Sequence, residues 1–552
     1  MDQPNSNVRA RLRALLTRRP EISTTQLALI VSLFSSAACN GSLWGKLLAL
    51  PSGGTLGGWG FLAGMFVLVT ALQFFLLSLL LNRWTAKPLL TVMFFLTGAT
   101  VYFMNRFGIY VDSAMAQNFL ETDFREARDL LAWNMLPYIA VYMLLPWVLL
   151  WRIRIRRPPL LKSWHHRPLA LLAALAVVAV SFYPISKQLV PLMREQKTLR
   201  YLITPSNYIY SLARVTILKP RIINRGPRTV VAPDAVRPPH APDHKPLLLV
   251  MVVGETTRAA NWGLNGYARQ TTPELAARQV INFPDVTSCG TNTATSLPCM
   301  FSVNGRRHYD EDVIRGSESV LNVLQRTGIR VLWRDNQSGC KGVCEGVEEH
   351  LMAQLNDPAL CHNKECFDEI LLAGLDAEIR NTPDDMVVVL HQMGLHGPAY
   401  YQRYPQAFRR FTPTCDTTQL ETCTQAQITN TYDNGVLYTD HVVAGAIDFL
   451  KTQSATRRTA LIYVSDHGES LGENGMYLHS IPFSIAPSTQ TKVPMVMWFG
   501  NDLTVRDDCM RQRAQQAATH DNLFHTLLGI AGVKTSVYEA AMDLTAGCRP
   551  AS

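Results

Sequence analysis

Five apolar stretches in the first third of the chain constrain its fold more than any other feature. They run approximately over 27–48, 59–81, 88–105, 131–151 and 168–183. Each can cross a bilayer core of roughly 30 Å, which takes about 20 residues of helix. The second is the clearest, with no charge from Phe61 to Leu81, and the last is short and ends at Pro184. One such stretch could be a buried helix of a soluble protein; five in succession read as membrane spans. The first ends without a small-residue cleavage pattern and is followed at once by another, which speaks against a cleaved leader.

Basic residues near the spans set their direction. Arg9, Arg11, Arg13, Arg18 and Arg19 precede the first span, and Arg83 and Lys87 separate the second from the third. Arg152, Arg154, Arg156, Arg157, Lys162 and Arg167 separate the fourth from the fifth. The alternate loops carry Lys46 in one and, in the other, Arg106, Arg125 and Arg128, outnumbered by Asp112, Glu121, Asp123, Glu126 and Asp129. The N-terminus is therefore expected in the cytoplasm and the chain beyond the fifth span outside. The basic segments more than account for the formal charge of +9. The remainder is near neutral, so no basic surface for nucleic acid is expected.

The cysteines agree with that placement. Cys39 lies in the first span and the other ten lie beyond residue 288. An even set suits an oxidising compartment, with the neighbours Cys289/Cys299, Cys340/Cys344, Cys361/Cys366, Cys415/Cys423 and Cys509/Cys548 pairing as disulfides. Zinc–thiolate sites are the competing reading, but the spacings lack a repeated CxxC.

The expected organisation is a transmembrane domain with five helices over 1–183, interfacial helices and an extended linker over 184–246, and an outer domain over 247–552. Met193–Ile217 mixes polar and aromatic residues and suits a helix at the membrane surface. Val231–Lys245 is rich in proline and reads as the linker. From Leu247, apolar runs (Leu247–Gly254, Gly328–Trp333, Asp385–Leu390, Ala460–Val464 and Pro494–Phe499) alternate with segments of helical length such as Ser319–Arg326 and Asp433–Thr452. That alternation predicts a largely parallel sheet covered on both faces.

Ligands of such sheets gather beyond the carboxyl ends of strands. Glu255 follows the first run, His391 and His396 the third, and Asp466 and His467 the fourth, with His479 twelve residues beyond His467. Oxygen and imidazole donors without thiolate suit zinc or manganese, zinc where histidine is prominent. Glu255, Asp466 and His467 supply three ligands. A reactive fourth is sought among the hydroxyls between Cys289 and Cys299, where a helix start also offers free N–H groups to a phosphate.

Gly254–Arg258, Cys289–Cys299, Ser338–Cys344, His391–Pro398 and Ser465–Glu469, with Phe107–Ile109 and Gln117–Asp123, together resemble the phosphoethanolamine transferases that modify lipid A, including the mobile colistin-resistance enzymes. The resemblance implies an alkaline-phosphatase-like, sulfatase-like α/β sandwich on a five-helix anchor in the bacterial inner membrane, with a periplasmic catalytic domain. It implies Thr293 as nucleophile, with Thr291 as the alternative, and Glu255, Thr293, Asp466 and His467 as zinc ligands. His396 and His479 match residues that bind the substrate phosphate or a second zinc. Asn118, Thr122, Glu126, Ser338 and Lys341 match positions of the phosphoethanolamine pocket. The donor implied is phosphatidylethanolamine, the acceptor a phosphate of lipid A, and the working unit a monomer. The result is an envelope with less negative charge and less susceptibility to polymyxin and other cationic peptides. Leu395 and Gln337 depart from the residues common in relatives.

Rival readings are a transferase with another acceptor (a lipopolysaccharide core sugar, a glucan or a protein) and a non-catalytic envelope sensor of cationic peptides. A sulfatase is disfavoured because its Cys/Ser-x-Pro-x-Arg motif is absent from the sequence.

Overall fold

The structure, a computed structural model, describes residues 19–49, 56–121, 133–156, 160–195, 197–218, 227–238, 245–362, 365–503 and 505–549. The chain divides into two compact units, the first of Met1–Ala116 with Ala132–Arg214, the second of Gln117–Leu131 with Val215–Ser552.

Among the described residues of the first unit, four helical stretches are long and apolar enough to cross a membrane: Gly58–Leu80, Ala86–Phe107, Trp133–Arg152 and Arg167–Val190. The expected span over 27–48 is instead a bent pair, α1 (Thr24–Ala38) and α2 (Gly41–Leu48), at 51°. Asn40 causes the break: it leaves the helical conformation, and its side-chain amide donates to Ser35 O at 2.6 Å and Thr204 O at 2.9 Å. Beyond α3 (Leu56–Leu80) and α4 (Ala86–Phe107), the stretch ending at Arg152 contains a π-helical turn, Ile139–Leu144, just before Pro146. Such a turn accommodates a residue that cannot donate into the helical ladder.

The last span also departs from expectation. Pro184 does not end it, because α5 runs from Leu160 to Glu195. Ile185 and Leu189 are buried beyond the proline. Gly64 on α3 has room only for hydrogen where Ile185 Cγ2 approaches, since a Cβ there would lie 2.5 Å away. Small residues permit such close helix contacts in membranes, where a proline is tolerated mid-helix. Within the expected surface segment Met193–Ile217, the helix Ser206–Ala213 packs into this unit: Tyr208 is buried, its hydroxyl 3.1 Å from both Thr97 Oγ1 and Met93 O. Glu21–Ile22 pairs in parallel with Arg154–Ile155, so the segment before α1 and the loop before α5 lie on one side of the helices.

The second unit is built on an eight-stranded sheet. Its strands are β1 (Leu247–Gly254), β2 (Ile281–Thr287), β3 (Arg330–Asp335), β4 (Glu348–Leu351), β5 (Met386–His391), β6 (Arg458–Ser465), β7 (Lys492–Phe499) and β8 (Ala518–Thr519), in the order β8-β2-β7-β6-β1-β5-β3-β4. All run parallel except β7. Every residue of β1 is buried, as strands covered on both faces must be. One face packs against α6 (Thr293–Met300), Val320–Arg326 and α8 (Asp521–Ile530); the other carries the 29-residue α7 (Gln425–Gln453). Thr424 and Gln427 form a capping box that starts α7 before the expected Asp433.

The expected linker is not a free tether where it is described. Val231 and Ala232 join the core, Asp234 accepts from Thr535 and Ser536, and Arg237 pairs with Asp385.

Five disulfides close Cys289–Cys299, Cys340–Cys344, Cys361–Cys366, Cys415–Cys423 and Cys509–Cys548, and Cys39 is free. The last spans 39 residues. Loop-closure entropy gives it the largest stabilising effect of the five, about 4 kcal/mol. Replacing Cys509 and Cys548 together by serine is expected to lower the thermal midpoint of this domain more than replacing any other pair, as calorimetry would show.

Candidate active site

Register brings the strand ends together. Ser465 pairs with Gly254 and Val253 with His391, while Asp466 N donates to Gly254 O at 2.9 Å. Glu255 and Asp466 therefore emerge side by side, both 0% exposed. The turn after β2 is anchored by Ser288 N on Thr491 O and delivers Thr293 as the first residue of α6, with Asn292 as N-cap.

Thr293 Oγ1 lies 3.0 and 3.2 Å from the two Glu255 oxygens and 3.4 Å from His467 Nε2. His467 Nε2 is 3.3 Å from Glu255 Oε1 and 3.4 Å from Asp466 Oδ2. Donor atoms of Glu255, Asp466 and His467 all fall within 4.8 Å of one another. Asp466 Oδ2 has no hydrogen-bond partner among the described residues, whereas Oδ1 accepts from the backbone of Thr256 and His467.

Two buried carboxylates this close demand positive charge. Burial would lift Glu255, but hydrogen bonds to His396 and His467 outweigh it and hold it well below the usual carboxylate range. Burial and the charge of Glu255 push Asp466 up to about 7. Burial would lower His467, yet Asp466 and Glu255 lift it to about 9. A divalent metal would supply this charge in place of protons. The donor set fits zinc: three oxygens and one imidazole nitrogen, with His467 Nδ1 held by Gly468 O at 2.9 Å so that Nε2 faces the cluster.

The remaining expected residues fall into three groups. His396 Nδ1 lies 3.2 Å from Glu255 Oε1, and the His479 ring centroid is 4.3 Å from that of His467. Lys341 Nζ donates to Ser338 Oγ at 2.9 Å, beside the cluster through Gln337. Asn118 lies on the helix Ser113–Glu121, its side chain outside the described residues, as Thr122 and Glu126 are entirely.

Thr291 is committed elsewhere: its Oγ1 donates to Ile481 O at 2.7 Å and its carbonyl accepts from Ser480 N. Thr291→Val is expected to cost up to about tenfold in activity, the effect of one lost hydrogen bond, and to leave any covalent phosphoenzyme detectable by intact-protein mass spectrometry.

The two departures differ in consequence. Leu395 is buried, its side chain over Gly435 of α7 and its backbone N–H donating to Glu255 O at 3.2 Å, while Gly394, at φ +51°, lets the chain pass so close that a Cβ would sit 2.5 Å from Glu255 O. Gln337 enters the site itself, its Nε2 3.1 Å from Glu255 Oε2.

Sequence reasoning missed Thr256, whose Oγ1 donates to Glu255 Oε1 at 2.6 Å from a left-handed backbone (φ +61°) pinned by the Tyr432 hydroxyl on its carbonyl. Its place beside Glu255 was the only signal.

The sheet, the strand-end cluster and the hydroxyl at a helix start define a sulfatase-like, alkaline-phosphatase-like domain attached to an apolar helical region. The sulfatase family model matches residues 248–533, and the model described as phosphoethanolamine transferase EptA/EptB matches 69–219. The chain belongs to the phosphoethanolamine transferase EptA/EptB family. It is 40% identical to phosphoethanolamine transferase EptA of Escherichia coli (strain K12) over 97% of this chain and 99% of that protein. It is 36% identical to phosphatidylethanolamine transferase Mcr-1 of Escherichia coli over 92% and 95%. The solved integral membrane protein lipooligosaccharide phosphoethanolamine transferase A (EptA) from Neisseria meningitidis matches at a TM-score of 0.92 and 37% identity, covering 96% of this chain and 100% of that one.

Proposed function

We propose that this chain transfers phosphoethanolamine from phosphatidylethanolamine to a phosphate of lipid A through a covalent intermediate on Thr293. The supporting observation is the Thr293 hydroxyl, 3.0 Å from Glu255 within the buried cluster of Glu255, Asp466 and His467. Glu255, Thr293, Asp466 and His467 would hold one zinc, which lowers the pKa of a bound hydroxyl and offsets phosphate charge.

Thr293 gives up its hydroxyl proton to solvent, its Oγ1 attacks the phosphorus of the donor, and the bond between that phosphorus and the glycerol oxygen breaks. Diacylglycerol departs with a proton given by His396 or His479, leaving phosphoethanolamine on Thr293. The backbone N–H groups at the start of α6 face the transferred phosphate. An oxygen of a lipid A phosphate then attacks the same phosphorus, and Thr293 Oγ1 leaves. The pocket for the ethanolamine group comprises Asn118, Thr122, Glu126, Ser338 and Lys341; His396 and His479 bind the substrate phosphate or, in the alternative reading, a second zinc.

The protein works as a monomer in the bacterial inner membrane, crosses it five times with the bent pair as the first span, and keeps its N-terminus cytoplasmic and its catalytic domain periplasmic. The ethanolammonium added to lipid A offsets anionic charge and reduces susceptibility to polymyxin. Expression in a bacterium lacking its own transferases tests this. Mass spectrometry should show lipid A gaining phosphoethanolamine; unchanged lipid A alongside consumed phosphatidylethanolamine would point to another acceptor.

A further inference from the structure

The site's two arms come from remote parts of the chain, Thr293 at the start of α6 and the pair Asp466 and His467 after β6. A histidine belonging to neither lies where they meet. His520 follows β8, precedes α8 and is 1% exposed. Cys289 N donates to its Nδ1 at 3.0 Å, and its Nε2 lies 3.0 Å from Ser465 O. A backbone N–H only donates and a carbonyl only accepts, so these partners select a neutral ring with its proton on Nε2. Burial agrees, pushing the imidazole down to about 3. Ser296 Oγ lies 3.3 Å from the same Nδ1 and gives its own proton to Asp466 O at 2.6 Å. His520 thus ties the head of the Thr293 turn to the residue before Asp466, and Ser296 ties α6 to Asp466 itself. With both ring nitrogens engaged by backbone, the imidazole has no capacity left for proton transfer.

We infer that His520 is a positioning residue for phosphoryl transfer, its bonds to Cys289 N and Ser465 O setting the separation between Thr293 and the Asp466–His467 pair. This rests on the roles proposed above for those three residues. Partners beyond the ligands themselves commonly carry about 10–100-fold in metal affinity or activity.

The test uses the full-length, zinc-loaded protein in detergent. His520→Phe keeps the ring volume and deletes both bonds; His520→Asn presents an amide oxygen near the place of Nδ1. The phenylalanine variant is expected to lose about 10–100-fold in kcat and in zinc affinity by chelator competition, with KM for the donor lipid unchanged within about twofold. The asparagine variant should recover part of both losses. Should the phenylalanine variant fail to fold, the asparagine variant is expected to show reduced kcat and zinc affinity at wild-type KM. The inference is overturned by a folded phenylalanine variant matching the wild type in kcat and zinc affinity, or by asparagine recovering nothing. It is equally overturned if asparagine matches the wild type where phenylalanine does not fold. Zinc affinity is read without lipid, so a different acceptor would leave this measurement standing; a wild type that binds no zinc would instead defeat the proposed function.

Discussion

Thr293→Ala is expected to abolish transfer, with a loss of at least about 10⁴-fold, the scale seen when a nucleophile is removed from a catalytic set. The fold should survive. Among the described residues the hydroxyl meets the side chains of Glu255 and His467, so its removal costs about 1 kcal/mol of stability. Thr293→Ser keeps the hydroxyl on α6 and should retain measurable activity. Wild-type protein incubated with phosphatidylethanolamine should gain a phosphoethanolamine adduct on intact-protein mass spectrometry, and the alanine variant should not. An adduct on the alanine variant would put the nucleophile elsewhere, and Thr291, bonded to Ile481 O, would have to move to replace it.

Glu255→Ala should have the second large effect, because this carboxylate is the hub of the cluster. Thr293, Thr256 and Gln337 all donate to it, and His396 and His467 stand within 3.3 Å. Losing a direct ligand should cost zinc affinity by more than the roughly 100-fold upper range for outer partners, and activity should fall with it. Glu255→Gln keeps the shape and removes the charge, so it separates packing from metal binding: the domain should fold and still lose zinc. Elemental analysis reads the outcome, and stoichiometric zinc in the alanine variant would remove Glu255 from the ligand set.

Much of the site was legible because strands that are buried on both faces announce themselves as unbroken apolar runs, and the polar residues after them stand out. The runs Leu247–Gly254 and Ala460–Val464, the latter inside the strand Arg458–Ser465, are of this kind, and they point to Glu255, Asp466 and His467. Ile281–Thr287 escaped because Pro284 and Asp285 interrupt it, and Ala518–Thr519 because two residues carry no period. Pro184 misled because a local rule about proline ignores a neighbouring helix that leaves room at Gly64.

By itself the sequence determined the apolar spans, the basic segments between them, the even cysteine set beyond residue 288 and the polar residues at strand ends. These are consequences of composition and period, which act over a few turns of chain. Only the tertiary structure decided that β1 lies beside β6, so that Glu255 meets Asp466, and that Thr293 faces the cluster while Thr291 holds a loop. It also brought Gln337 and His520 to the site from far along the chain. Strand order and register set those distances, and both depend on how the whole sheet packs, which no local stretch encodes.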